Sequence, residues 1–238
     1  MKELEDSPYF PSLLRNFQTE FIGFMVVKFD AYRAFIEYLN SVFIAQHQVT
    51  DLCSGSGEPA ISIFRQTDCF NKLILTDKYP NPIAVTNDTI SYRTESIDVL
   101  ETKFQPDVCY TMFNSFHHFS KKEKLEIARR IKEAGARGFF VEILEPGLGC
   151  FLKILLITTL GTIVFTPFIR PFSWKRLLFT YIFPVNILTI TYDGIISVSK
   201  SSTVAQYKKL FASYGDAVKV FRLKSKSSPL VIIQFQPE

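Results

Sequence analysis

Short apolar runs alternate with helix-spaced segments over the first 145 or so residues of the chain. "FIGFMVVKFDAYRAFIEYLNSVF" repeats its apolar residues at helical spacing and predicts one or two N-terminal helices. "QVTDLC" reads as a strand, and a glycine turn then leads into "PAISIFRQT", where Pro59 stands at a helix start. "KLILTD" predicts a second strand ending at Asp77, and the prolines of "KYPNPIAVTNDTISY" mark a loop into a helical or irregular segment. "SIDVLE" is the third and weakest run, and "DVCYTMFNSFHHF" is apolar up to Phe113 before it turns polar. An amphipathic helix follows in "SKKEKLEIARRIKEAG", with Ser120 as its cap, Glu123 as capping-box partner and Gly135 near its end. "GFFVEILEP" is the fifth strand.

Strands that alternate with helices imply a parallel sheet covered on both faces. The end breaks this rhythm: after the helical "STVAQYKKLFASYG", two runs, "AVKVFRL" and "PLVIIQFQ", flank the polar "KSKSS" in the pattern of an antiparallel hairpin. The predicted fold class is therefore α/β, a doubly wound, mostly parallel sheet with a reversed C-terminal strand pair, N-terminal helices and an apolar helical insertion.

Composition narrows the partners. At 238 residues, with 47% hydrophobic and 21% charged, the chain can bury one substantial core and reads as a single domain over 1–238. Its parts are a helical cap (1–45), a core (46–147), the insertion (148–196) and a closing helix and hairpin (197–238). The formal charge of +4 comes from scattered Lys and Arg, so no nucleic-acid partner is expected. Cys53, Cys69, Cys109 and Cys150 lie far apart, as reduced thiols do, and form no zinc spacing. The acidic start "MKELEDSPYFPSLL" lacks the apolar core of a secretory signal, so the expected compartment is cytoplasmic. No metal-ligand cluster is written in the sequence.

Glycines at the end of the first strand allow a sharp turn and let a ligand approach both the backbone and the following helix N-terminus. Asp77 closes the second strand, where a carboxylate can accept both hydroxyls of a ribose, and Asp98 stands near the third. These loops open at the same carboxyl edge. The residues resemble the class I S-adenosylmethionine-dependent methyltransferases, a Rossmann-like family, from about Val49 to the end of the chain. "DLCSGSG" looks like their first motif, "LILTD" their second, "SIDV" their third and "PDVCYTMFNSFHHFS" their fourth, and the closing hairpin resembles their reversed strand pair. The resemblance implies S-adenosyl-L-methionine as cofactor. Asp51, Gly55 and Gly57 would then line its methionine end, Asp77 would bind its ribose, and Asp98 with Val99 would flank its adenine, with Cys53, Ser54, Lys78 and Asn114 as further cofactor-binding residues. Where the family usually has Gly, this chain has Cys53, which fits if that residue holds ordinary strand angles. Gly57 is expected at the closest approach of backbone to cofactor.

A nicotinamide-dependent oxidoreductase shares the strand, glycine turn and acidic residue, but its G-x-G-x-x-G spacing is not matched, since Pro59 and Ala60 follow Gly57. An inactive cofactor-binding module of the same fold is a third reading. For catalysis, His117 and His118 follow the fourth strand and are candidate bases, or merely pack and cap. Asp193 beside Tyr192, in "TYDG", is another candidate base or simple turn chemistry. Glu142 and Glu145 face the acceptor or balance nearby cations.

The insertion carries one charge, Lys153, across "LGCFLKILLITTLGTIVFTPF", followed by "RPFSWKR" and a second apolar run. As a helix the first piece reaches roughly 31 Å, about one bilayer core. A single crossing would strand the last helix and hairpin on the wrong side, so the chain has to return. It is read as an apolar hairpin in one leaflet, with Trp174, Arg170, Lys175 and Arg176 at the head groups, as a cap over the site, or as a dimer interface. Phe151, Leu155, Tyr192 and Trp174 are the candidate acceptor contacts, the N-terminal helices would form the other wall, and the acceptor is expected to be small or lipid-like. Oligomeric state is not legible.

Overall fold

The computed structural model describes residues 2–42, 47–81, 87–225 and 229–237. Part of the expected loop after Asp77 and part of the polar hairpin turn lie outside them. Seven strands form one sheet: β1 (Gln48–Leu52), β2 (Lys72–Thr76), β3 (Ile90–Tyr92), β4 (Val108–Phe113), β5 (Arg137–Glu142), β6 (Val218–Leu223) and β7 (Leu230–Phe235). Their order is β3-β2-β1-β4-β5-β7-β6. The first five run parallel, while β7 pairs antiparallel with both β5 and β6, as the closing hairpin predicted.

Strands β4 and β7 are buried along their whole length, which is why they read as unbroken apolar runs rather than alternating ones. On one face lie α2 (Arg33–Ser41) and α3 (Ala60–Arg65), with Phe35 and Leu39 fully enclosed. On the other lie α4 (Lys121–Glu133) and the last helix (Val204–Leu210), which bring Ile127, Ile131, Tyr207 and Phe211 to the sheet. The capping box of Ser120 and Glu123 forms as expected, and Thr203 with Gln206 makes a second one. Gly135 takes a left-handed φ of 60° just past α4.

Three local expectations are corrected. The third strand is Ile90–Tyr92, not "SIDV", which has no regular structure and runs into a turn at Val99. The backbone at Cys53 is left-handed, φ 57°, so this cysteine keeps the conformation that a glycine would take without strain. "TYDG" is no turn: Asp193 and Gly194 sit inside the Val185–Lys200 helix, which runs past the expected insertion boundary at 196. Gly194 is required there by packing, because a Cβ would stand 2.9 Å from Ile154 Cγ2 and 3.0 Å from Thr158 Cγ2.

The insertion comprises a helical run Leu148–Phe168, then Trp174–Ile182 and Val185–Lys200, the last two bent by 80°. Leu148, Leu152, Leu156, Leu160 and Val164 recur every fourth residue and are all more than half exposed. Thr158, Thr162 and Thr166 occupy the opposite, buried side and return their hydroxyls to carbonyls one turn back. The buried side packs on α1 (Ser12–Lys28), where Phe21 and Met25 meet Ile169 and Ile190. Arg176 is correspondingly buried and bonded to Glu20, Ile169 O and Pro171 O, so it is withdrawn from any head-group role, whereas Trp174, Arg170 and Lys175 are exposed.

Candidate functional site

Parallel strands end at one edge, and the loops beyond β1, β2 and β4 enclose a cavity of about 680 Å³ there. Cys53, Ser54, Gly55, Asp77, Lys78, Asp98, Val99, Asn114, His117 and His118 all line it. The turn after β1 is tightly braced. Ser54 N donates to Thr76 O at 3.0 Å, and Gly57 N donates to Ser54 O at 2.7 Å. Gly55 and Gly57 have φ of 52° and 88°, and Asn114, after β4, has 49°. With Cys53 this concentrates left-handed backbone at the edge, as ligand sites often do.

Asp77 accepts the N–H of Gly55 at 2.8 Å and that of Tyr79 at 2.7 Å, so it ties the second loop to the first. Burial raises its pKa despite those bonds. Asp98 meets Lys78 at 2.7 Å; against the cost of burial, that ammonium holds its carboxyl below the usual range. Tyr92, at the end of β3, donates its hydroxyl to Gly55 O at 2.7 Å and was not singled out in the sequence. Two expected cofactor residues lie elsewhere. Asp51 is buried beneath the cavity, accepts the Thr111 hydroxyl at 2.7 Å, and has its pKa pushed up to about 7 by burial. Gly57 is buried behind the lining, and the close approach in this turn is made instead by α1: a Cβ on Gly55 would meet Thr19 at 3.1 Å, and one on Gly23 would meet Ser56 Oγ at 2.8 Å.

The roof is the N-terminal segment rather than the insertion. No residue of 148–190 lines the cavity, so Phe151, Leu155 and Trp174 lie outside it, as does Tyr192; Trp174 is 63% exposed. Lys2, Glu5, Asp6, Arg15 and Thr19 cover it instead. Asp193 holds this roof down: its carboxylate accepts Leu4 N at 2.6 Å, Glu5 N at 3.1 Å and Gln18 Nε2 at 2.6 Å. With three donors on it, Asp193 is a fastening and not a free base. Arg15 completes the attachment, donating to Glu5 O and Ser7 O while stacking 3.9 Å over Tyr79.

The two histidines differ. His117 is buried and its Nδ1 lies 2.7 Å from Glu142, whose other oxygen accepts Phe116 N. His118 faces Glu3 at 2.5 Å and Asp6 at 3.1 Å; burial opposes its charge, but these carboxylates hold its pKa well above the ordinary value. Paired in this way, it is not a free base. Glu145 is paired with Arg222. The acidic run "ELED" was not singled out in the sequence beyond the absence of a secretory signal; its meeting with His118 and Lys200, distant in sequence, makes it part of the site.

No family model matches the sequence, and no curated protein matches it. Solved structures do resemble it. The mitomycin 7-O-methyltransferase MmcR shows a TM-score of 0.50 at 15% identity, over 86% of this chain and 53% of that one. Human N-acetylserotonin methyltransferase in complex with SAM gives 0.52 at 14%, over 90% and 55%. OxaC in complex with SAH and oxaline gives 0.51 at 14%, over 85% and 45%. The chain thus spans about half the length of the structures it matches. The likeness is one of fold: the mixed seven-stranded sheet with its reversed last strand pair is shared with these methyltransferase structures.

Proposed function

We propose that this protein transfers a methyl group from S-adenosylmethionine to a small or lipid-like acceptor. The observation that carries the reading is the convergence of the glycine turn, Asp77, Asp98 with Val99, and Asn114 on one cavity at the carboxyl edge of a methyltransferase sheet. The donor set fits the cofactor. Beyond its two N–H bonds, Asp77 keeps lone pairs on both oxygens for a ribose diol. Asn114 Oδ1 is a buried acceptor with no partner among the described residues, suited to an ammonium group. The cofactor supplies a methyl group activated on a sulfonium. The chain has to align the acceptor and exclude water, which the roof fastened by Asp193 and Arg15 does. Calorimetry on the folded Asp77→Ala variant tests the assignment: cofactor affinity falls strongly. Unchanged affinity, or tight NADH binding by the parent protein, refutes it. Mass-spectrometric detection of a methylated product from a lipid-rich extract separates an enzyme from an inactive binding module.

The exposed ridge Leu148, Leu152, Leu156, Leu160 and Val164 favours attachment to a lipid surface, with Arg170 and Lys175 at the anionic head groups. The insertion helix is long and apolar enough to cross a membrane, yet only 17% of its most apolar window is buried within the protein. Flotation with anionic vesicles checks this: the wild type co-floats, and replacing Leu152, Leu156 and Leu160 by Gln abolishes it without altering cofactor binding. A stable dimer that ignores vesicles assigns the ridge to self-association instead.

A further inference from the structure

Beneath the roof, Glu3, His117 and His118 each offer one ligand atom, and these atoms lie within 4.8 Å of one another. Glu3 and His117 are each only 1% exposed. Donation of Nδ1–H from His117 to Glu142 leaves Nε2 as the nitrogen with a free lone pair, and that atom is buried with no hydrogen-bond partner among the described residues. Glu3 is paired with His118, whose Nδ1 stands 2.5 Å from its carboxylate, and with Lys200 Nζ at 3.4 Å. A buried polar atom left without a partner is costly, and the open Nε2 of His117, set among two further ligand residues, calls for an occupant.

We infer that Glu3, His117 and His118 form a binding site for a divalent first-row transition ion, with zinc the best match to the donor set. Two imidazoles and one carboxylate are ligands of that class once the ion displaces the proton that His118 Nδ1 shares with Glu3, and three protein ligands leave a position open to water or to an acceptor oxygen. The second shell is built as such sites require: Glu142 holds the His117 ring and its tautomer, and its other oxygen is fixed by Phe116 N at 2.7 Å. Charge also fits. Glu3, Glu5 and Asp6 crowd this corner, and among the described residues the cations paired with it are His118 and Lys200, the latter at 3.4 Å from Glu3 and 3.5 Å from Asp6. A dication would join the N-terminal segment to the loop after β4, and so fasten the roof at the end remote from the glycine turn. The inference is independent of the methyl-transfer reading, since it rests on the ligand cluster alone.

The experiment is a titration of the full chain, stripped with EDTA and free of cofactor, with zinc by calorimetry and with cobalt(II) by its visible absorption. The expected result is one ion per chain with at least micromolar affinity, and a cobalt spectrum typical of nitrogen and oxygen ligation. His117→Ala and Glu3→Gln should each weaken binding by at least about 10-fold, and Glu142→Gln by about 10- to 100-fold. His47→Ala, a histidine away from the cluster, should leave it unchanged. Zinc should also slow proteolysis of the first residues in the wild type and not in Glu3→Gln. If His117→Ala fails to fold, Glu3→Gln and the wild-type titration still decide. Only millimolar, non-saturating uptake, or affinity indifferent to these substitutions, would make the cluster a metal-free ion-pair network and overturn the inference. S-adenosylmethionine binding measured on the same stripped sample reports separately on the methyl-transfer reading.

Discussion

Replacing Asp193 by Ala should release the roof of the cavity. The wild-type carboxylate takes two backbone N–H groups, from Leu4 and Glu5, and the side-chain amide of Gln18. Alanine leaves three donors facing a small void. A buried donor without a partner costs about 1–3 kcal/mol, and the two backbone groups are only partly buried, so water recovers some of that. The expected loss is about 3 kcal/mol, or roughly 6–12 °C in Tm for a chain of this size. Asp193→Asn should cost less. Its carbonyl can still accept Leu4 N, and Gln18, whose Oε1 has no partner among the described residues, can turn its amide to accept from the new NH2 group. Thermal unfolding read by circular dichroism gives the global term, and limited proteolysis gives the local one, because a detached segment becomes cleavable before Ser12. If Asp193→Ala melts within about 2 °C of wild type and its N-terminus resists protease equally, the fastening role is wrong.

Further predictions follow from the buried turn and the helix crossing. Asp51 has a folded-state pKa of about 7 against 3.8 in the unfolded chain, so its protonated form stabilises the fold below pH 4 and this contribution is lost as pH rises through 7. Asp51→Asn should therefore gain on the wild type by up to roughly 4 kcal/mol between pH 4 and pH 8 in the absence of cofactor, and a pH-independent difference in denaturant midpoints would contradict it. Cys53→Gly should relieve a left-handed backbone and stabilise by about 1 kcal/mol, less the greater freedom of glycine in the unfolded chain; a clear loss in urea unfolding would mean the thiol makes packing contacts worth more than the strain. Gly194→Ala should cost about 1–3 kcal/mol by forcing Ile154 and Thr158 aside, whereas Gly149→Ala, with open space around it, should gain up to about 1 kcal/mol. Equal melting temperatures for that pair would show that the helix crossing is loose.

Much of the sheet was legible because buried parallel strands leave continuous apolar runs and the glycine turn follows the first of them. β1, β2, β4 and β5 fall where those runs are, and Asp77 stands beyond β2 because the strand stops at Thr76. β3 escaped because three residues, Ile90–Tyr92, are too few to show a period, while the apolar "SIDV" imitated one. An Asp-Gly pair signals a turn locally, yet Asp193 and Gly194 are helical because the crossing with Ile154 and Thr158 needs a residue without a side chain and the N-terminal segment needs an acceptor. The insertion's apolarity could be read directly, but not which face it buries. Only the packing of Thr158 and Thr162 inward, with Ile169 and Ile190 against α1, turns the leucine ridge outward and leaves the cavity to a different roof. "ELED" carries the plainest limit: its three carboxylates are drawn to His118 and Lys200, and its backbone to Asp193, all more than a hundred positions away, so that Glu3 is buried, and a pairing across such a distance leaves no local pattern in the chain.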